Sequence, residues 1–250
     1  MTYTARMARN RSRGQASGML VLLTLFLASI AGIAWIAFSM VAPDRWPIRW
    51  LEVNGEFQRI SAEQLRASLS TGMNDSYFTV DIGALEAAAR RNAWVSSVRV
   101  QKIWPDTVAV TVREYQPVAH WNSGTLVSTD GTPFSVPEAD ELQGLPWLKG
   151  PEGRLDDVLT VWAGIDEALL PLGLEVERLT LDDRGSWSMQ LDNGTKVFLG
   201  RDSMEERLDR LLSGWEPLME QQDVPPQGID LRYTNGFAVA WPVNGEQNNG

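Results

Sequence analysis

The chain has 250 residues, of which 44% are hydrophobic, and this composition is typical of a folded protein. It contains no cysteine, which excludes disulfides, thiolate metal sites and thiol nucleophiles. Residues 44–250 hold all 32 acidic and 18 of the 22 basic residues, and their formal charge of −14 argues against binding to nucleic acid or an anionic membrane surface.

The first predicted element is a membrane-spanning helix. Residues 18–42 form an uncharged run of 25 residues, and a helix of that length crosses a hydrocarbon core of about 30 Å. Four arginines precede the run, namely Arg6, Arg9, Arg11 and Arg13, and the first acidic residue is Asp44. Because basic flanks stay in the cytoplasm, we expect a cytoplasmic arm over 1–17, one span over 18–42, and a C-terminal part outside the cytoplasm.

A cleaved signal peptide is the alternative interpretation of this segment. Ala37-Phe38-Ser39 resembles a cleavage site, but the apolar part of a signal peptide is usually only about 7–15 residues long. The length therefore favours an anchor that is retained. Trp46 and Trp50 follow the segment closely, as an aromatic belt at the membrane interface requires.

Residues 46–115 predict a compact β-α-α-β-β unit. Ile48–Val53 is a strand candidate, and Ser61 and Asp81 are placed to begin two helices. Two further strands follow, because apolar and polar residues alternate over 98–103 and 107–113. This order predicts a small sheet with two helices on one face.

Residues 116–243 predict a second, mostly antiparallel β-domain with two or three helices. Apolar residues are spaced for one helix face over 155–169, and Ser203-Met204-Glu205-Glu206 has the pattern of a capping box that opens another helix. Strands at 229–233 and 237–241 flank Asn235-Gly236, which predicts a hairpin. The polar residues 244–250 predict a disordered tail. The fold class is therefore α+β.

Several motifs together resemble one known family. YFTVDIGALEAAARRNAWVSSVRVQKIWPDTVAVTVREYQPVAHW (Tyr77 to Trp121) resembles the second half of the POTRA domain of the bacterial division proteins FtsQ, also called DivIB. NGTKVFLGR (Asn193 to Arg201) and DLRYTNGFAVAW (Asp230 to Trp241) resemble that family's last strand pairs. The resemblance implies a non-enzymatic, single-pass inner-membrane scaffold that binds FtsB, FtsL and other septal proteins through its periplasmic domains and so links and regulates septum assembly.

The last strand is the candidate partner-binding site. Residues 237–241 carry no charge, and a terminal strand often lies at a sheet edge, where an undefended row of backbone groups aggregates or pairs with a partner strand. The residues themselves leave open a central strand with Tyr233 and Trp241 in the core. The resemblance implies that this region binds the periplasmic part of FtsB, which travels with FtsL. On that implication the contacting residues are Tyr233, Thr234, Asn235, Gly236, Phe237, Ala238 and Trp241.

Catalytic candidates are few. The single histidine, His120, lies on a predicted strand without a second histidine or cysteine for a metal site. The carboxylate clusters fall at helix starts, turns and loops, where solvation rather than the apolar pocket of a general acid is expected. Phosphate-binding glycine motifs are absent from the sequence. The sequence therefore predicts no catalytic site, no metal and no cofactor.

Two other functions remain as alternatives. An anchored POTRA module could act in polypeptide transport, and an anchored hydrolase could cleave cell-wall glycans with two carboxylates. POTRA domains generally bind at a sheet edge, and here the sequence offers Ile48–Val53 or Thr107–Glu114 without deciding between them.

Overall fold

The structure is a computed structural model that describes residues 11–41, 46–70, 72, 76–222 and 224–242. The predictions for residues 1–10, for Ala42 and for the tail 244–250 lie outside these residues. The chain divides into two compact units, Met1–Glu114 and Tyr115–Gly250.

Helix α1 (Arg11–Val41) begins seven residues before the apolar run, so part of the predicted arm is helical. Within it, the 23 residues Gly18–Met40 contain an 18-residue stretch with a mean hydropathy of 2.4, none of which is buried. Among the described residues, this is the one helix long and apolar enough to cross a membrane. Its exposed apolar side chains are what a lipid-facing helix requires.

The first unit confirms the predicted β-α-α-β-β order. Its elements are β1 (Trp50–Asn54), α2 (Ala62–Ser70), α3 (Ile82–Ala89), β2 (Val95–Ile103) and β3 (Thr107–Glu114). Asp81 caps α3 by accepting the amide proton of Ala84 at 3.0 Å. The strands turn one row of valines towards the two helices, and the core contains Val98, Val100, Val108, Val110 and Val112.

The strand order β1-β3-β2 corrects one sequence expectation about the sheet edges. Thr107 of β3 pairs with Trp50 on one side and with Ile103 on the other. Thr107–Glu114 is therefore the central strand and not an edge candidate. Strand β1 is an edge, as the other expectation had it, and β2 forms the opposite edge. Alternating valines mark a strand, but they do not reveal which neighbours pair with it.

Glu114, the last residue of β3, holds the loop that leads into α2. Its carboxylate accepts the backbone N–H groups of Gln58 at 3.2 Å, Arg59 at 3.1 Å and Ile60 at 2.9 Å. Three backbone donors are thus satisfied by one charged acceptor, which makes each bond stronger than a neutral pair. The glutamate that closes the valine-rich strand is a structural residue of this unit.

The second unit has a nine-stranded sheet in the order β12-β11-β10-β9-β8-β7-β4-β5-β6. Its strands are β4 (Pro117–Trp121), β5 (Thr125–Ser128), β6 (Pro133–Phe134), β7 (Trp147–Lys149), β8 (Val176–Leu181), β9 (Trp187–Leu191), β10 (Lys196–Gly200), β11 (Gly228–Asp230) and β12 (Ala238–Ala240). Its helices are α4 (Leu155–Leu169) and α5 (Met204–Met219), with short 3-10 turns at Ala139–Glu141 and Leu170–Leu172.

Five of the eight strand pairings in this sheet are antiparallel, in agreement with the predicted fold class. Two of the three parallel pairings join strands that a helix separates in the chain. Helix α4 connects β7 to β8, and α5 connects β10 to β11, as parallel neighbours require a crossover. Both helices pack on the core formed with the sheet, and α5 buries Leu211, Trp215 and Leu218 there.

We predict that Glu114→Ala loosens the loop before α2. Its loss leaves three backbone donors without their acceptor, which costs about 1–3 kcal/mol of stability in the first unit. Hydrogen exchange of the amides of Gln58, Arg59 and Ile60 measures this directly, and their protection should drop. Glu52→Ala on the exposed side of β1 is the matched control. Equal exchange in the two variants would contradict the role given to Glu114.

Candidate partner-binding edge

The terminal strand β12 is an edge strand of the nine-stranded sheet. It pairs antiparallel with β11, in the register Gly228↔Ala240, Ile229↔Val239 and Asp230↔Ala238. Among the described residues, β11 is the one strand that pairs with it. The sequence left open a position of this strand in the middle of the sheet. The structure instead places the strand at the edge.

A hydrogen bond between β11 and β10 shows which backbone groups of β12 point away from the sheet. The N–H of Leu231 donates to the Phe198 carbonyl of β10 at 3.0 Å, so residues 229 and 231 face β10. Because polar groups alternate along a strand, Gly228 and Asp230 then face β12, and their partners Ala238 and Ala240 face β11. The N–H and C=O of Val239 consequently point to the open side of the sheet.

The side chains of the terminal strand alternate as well. Phe237, Val239 and Trp241 are partly buried and pack against the core of the second unit. Ala238 and Ala240 lie on the other face and are exposed. The backbone at the edge is therefore flanked by two small side chains on its solvent face, which leaves space for an approaching chain.

The predicted tight hairpin is longer than the sequence indicated. The strands end at Asp230 and restart at Ala238, and neither Asn235 nor Gly236 has the positive φ that a two-residue type I′ turn needs. Instead Arg210 of α5 donates from Nη1 to the carbonyls of Tyr233 at 2.9 Å and Gly236 at 3.1 Å. A side chain from the crossover helix, rather than local turn geometry, holds this loop.

The predicted site residues thus occupy different environments. Tyr233, Thr234, Asn235 and Ala238 are exposed, and Tyr233 keeps 60% of its surface. Phe237 and Trp241 pack partly on the core, and Gly236 is half-buried. Five of the seven residues lie on the loop before β12, Ala238 lies on β12 and Trp241 follows it directly, so exposed residues and residues that support the fold are mixed within the predicted site.

Asp230 and Arg232 form an ion pair at the end of β11. The guanidinium donates from Nε to Oδ1 at 2.9 Å and from Nη2 to Oδ2 at 2.6 Å, and it lies over the ring of Phe198 at 5.6 Å. The hydrogen bond from Arg232 lowers the pKa of Asp230 below its ordinary value. Sequence reasoning missed this pair and Arg210, because nothing in periodicity shows what an arginine will contact.

Two glycines lie where α5 packs on this part of the second unit, one at the end of β10 and one on the helix itself. Gly200 has φ +78°, and a Cβ there would lie 2.5 Å from Nη1 of Arg207. Gly214 on α5 faces Phe237, whose ring carbon would lie 2.8 Å from a Cβ at that position. A side chain at position 214 would push the helix away from Phe237, whereas at position 200 the left-handed φ itself favours glycine.

The opening of α5 differs from the sequence prediction of a capping box. Ser203 lies at the N-cap position, but its φ is +52° and its side chain makes no capping hydrogen bond. The backbone there is left-handed rather than extended, so the hydroxyl does not reach the amides of the first turn. The helix is fixed instead by its buried face.

His120 lies on β4 as a buried residue of the second unit. Its Nε2 lies 2.8 Å from the Leu142 carbonyl, and its ring stacks on Trp147 with centroids 4.0 Å apart. Burial and stacking give this histidine a packing role. Within the described residues, no cluster of histidine, aspartate or glutamate could hold a metal ion.

The carboxylates with shifted pKa values have shifts opposite to those of a general acid. The N–H of Gly124 and the hydroxyl of Ser123 donate to Asp140 and lower its pKa. The hydroxyl of Ser128 and the N–H of Thr132 do the same for Asp130. A glycosidase acid instead needs a raised pKa, so neither group has the properties of that catalyst.

Comparisons with known proteins identify the two units. Residues 46–115 match the family model for the FtsQ-type POTRA domain, and residues 119–232 match the model for the C-terminal part of cell division protein FtsQ/DivIB. Cell division protein FtsQ of Xanthomonas campestris is 37% identical over 220 residues, which cover 85% of this chain and 79% of the relative. The FtsQ of Aliivibrio fischeri is 34% identical and covers 92% and 88%, respectively.

The chain belongs to the FtsQ/DivIB family of cell division proteins. The FtsQ of Allochromatium vinosum, 34% identical over 91% of this chain, agrees with this assignment. The C-terminal FtsQ model ends at Arg232, so the predicted contacts from Tyr233 to Trp241 lie beyond the matched range. Asn193–Arg201, quoted above for the resemblance, lies inside it and supplies β10.

We predict that Asp230→Asn destabilises the second unit by about 1 kcal/mol at neutral pH, because the charged bonds to Arg232 are lost. Since folding lowers the pKa of Asp230, its contribution is present above the ordinary aspartate value of about 3.9 and is lost as pH falls through the lower folded value. Urea unfolding at neutral and acid pH measures the difference, which should disappear in acid. Asp183→Asn, at an exposed turn, is the control; a pH-independent loss would contradict the assignment.

Proposed function

We propose that this FtsQ/DivIB protein is a non-enzymatic scaffold of the division machinery. Residues 18–42 cross the inner membrane once, with the N-terminus in the cytoplasm and both folded units in the periplasm at the septum. The arginine-rich flank and the absence of acidic residues before Asp44 support this orientation. The protein recruits FtsB, FtsL and other septal membrane proteins, and so links and regulates the steps of septum assembly.

The outward-facing backbone of β12 is the observation that carries the binding proposal. An N–H and a C=O at a strand edge must be satisfied by water or by another chain. A periplasmic segment of FtsB that adds to β12 as a further strand satisfies Val239 and extends the sheet. The exposed Tyr233 then lies beside the added strand as an aromatic anchor.

The two alternative functions have less support. Membership in a cell division family favours a division scaffold over a POTRA module of polypeptide transport. A glycan hydrolase needs two carboxyl groups facing one bond, one of them with a raised pKa. The carboxylates whose pKa values are shifted here have lowered values.

The decisive variant is Val239→Pro. Proline removes the outward N–H of Val239, while the groups of Ala238 and Ala240 that face β11 remain. We expect capture of FtsB by the full chain in membranes to fall at least about tenfold, which corresponds to about 1.4 kcal/mol. Co-purification with tagged FtsB, quantified by titration, measures the loss.

Val239→Ala is the matched control, because it removes more of the side chain that packs on the core but keeps the N–H. It should retain most of the FtsB affinity. If the alanine variant loses as much binding as the proline variant, side-chain packing and not strand addition accounts for the site. Equal, undiminished binding by both variants would contradict the edge proposal.

Tyr233→Ala tests the aromatic anchor. Because 60% of this residue is exposed, its truncation should change the free energy of unfolding by less than about 0.5 kcal/mol. Affinity for FtsB should fall by about 2 kcal/mol, as for other buried aromatic anchors of interfaces. Binding and thermal unfolding of the same preparation separate the two effects. Leu170→Ala, exposed elsewhere on the second unit, should change neither; Trp241→Ala is less informative, because Trp241 also packs on the core.

A further inference from the structure

One end of the POTRA unit keeps large apolar side chains in solvent. Trp50 is 65% exposed, Trp104 is 68% exposed and Ile103 is 46% exposed. Together with Trp46 and Phe78, these residues are called the aromatic end below. They have no role in the proposed binding of FtsB, which concerns the other unit of the chain.

The register of the sheet shows that its exposed large apolar residues are confined to one row at one end of its open face. Trp50 of β1 and Ile103 of β2 both pair with Thr107 of β3, so the three form one row on the open face. The two ends of this row lie about 10 Å apart, at two strand spacings. The next rows of the same face are mostly polar and contain Glu52, Ala109 and Gln101, and then Asn54, Thr111 and Arg99.

The helix side of the same end is also aromatic. The rings of Trp46 and Phe78 meet edge-to-face with centroids 5.5 Å apart. The Nζ of Lys102 donates to the carbonyl of Phe78 at 3.3 Å, which ties this pair to the end of β2 next to Ile103. Trp104 follows in the turn between β2 and β3. Aromatic side chains therefore surround this end of the unit on both faces.

Chain connectivity places the aromatic end next to the membrane span. Trp46 comes six residues after Met40, where the described apolar segment Gly18–Met40 ends, and an extended chain covers at most about 3.6 Å per residue. Trp46 therefore cannot be more than about 22 Å from the end of the span. The first residue of β1 follows four positions later, so the row that contains Trp50 is at the end of the sheet where the chain arrives from the bilayer.

The chemistry of this end fits a lipid interface. Tryptophan is enriched at the headgroup level, where one part of the ring is apolar and the other is wet. The row Trp50, Thr107 and Ile103 carries no charge, so its burial does not need anionic lipid. Residues 44–250 carry a formal charge of −14, which disfavours an attraction based on surface potential.

We propose that the aromatic end of the POTRA unit docks into the outer interface of the membrane that the chain itself spans. The inference rests on the proposed span over 18–42. Docking fixes the orientation of this unit against the bilayer, so that the edges β1 and β2 are presented to neighbouring membrane proteins at a set height. Besides the tether, the Ser76 hydroxyl donates to the Met40 carbonyl at 3.0 Å, and docking of the aromatic end adds a second point that sets the orientation.

The absence of cysteine from the sequence allows a direct test. Single cysteines replace Gln101 or Ser97, which are both exposed on the open face of β2 and lie about 13 Å apart along the strand. The full chain is reconstituted in phosphatidylcholine vesicles that contain a headgroup-labelled quencher lipid, and a fluorophore is attached to the cysteine. We expect quenching at position 101 to be at least about twice that at position 97, given their different distance from the bilayer.

The variant Trp50→Ser with Trp104→Ser removes the two most exposed side chains of the aromatic end and should abolish this difference. Leu170→Ser, which changes an exposed leucine of the other unit, should preserve it. A difference that survives in the double variant would mean that the tether alone produces it, and would overturn the proposal. So would equal quenching at both positions, quenching that requires added phosphatidylglycerol, or shielding of position 101 only when a protein partner is present. Flotation of the vesicles tests the proposed span separately from the docking of the aromatic end. A chain that fails to float contradicts the span itself.

Discussion

The outward row of backbone groups on β12 is the feature on which the binding proposal depends. A strand that pairs on one side leaves the other side to water or to a partner, and the net gain of each hydrogen bond to a partner is about 1 kcal/mol. Three register pairs attach β12 to β11, and β11 in turn pairs over three residues with β10. The edge is therefore a short ladder, and a partner strand would extend it as a tenth strand where the sheet ends.

Helix α5 determines where that edge lies. As the crossover between β10 and β11 it makes these strands parallel neighbours, and its Arg210 fixes the loop of the predicted site through two carbonyls. Gly214 gives space to the ring of Phe237. The loop that contains Tyr233 is thus held before any partner arrives, and a preformed loop loses less conformational entropy on binding.

The FtsQ-type POTRA unit has a smaller sheet with a different strand arrangement. Its central strand is β3, and Glu114 at the end of that strand satisfies three amides of the loop before α2. Its two edges, β1 and β2, are paired on one side only within the described residues. The end of the unit that the chain reaches first is the apolar one. The two proposals thus assign a different surface to each unit, one for a polypeptide strand and the other for a lipid interface.

The sequence determined the elements that depend on local pattern. Charge and length mark a candidate span over 18–42, the change of hydrophobic period marks the helices and strands, and Asp81 was correctly assigned as a cap. The seven site residues were named from sequence, with the family resemblance choosing among open possibilities. Tertiary structure alone decided that Thr107–Glu114 is central, that the terminal connection is a loop held by Arg210, and that Trp241 supports the core while Tyr233 does not. The physical reason is that strand neighbours and arginine contacts are chosen across long sequence separations, where periodicity carries no information.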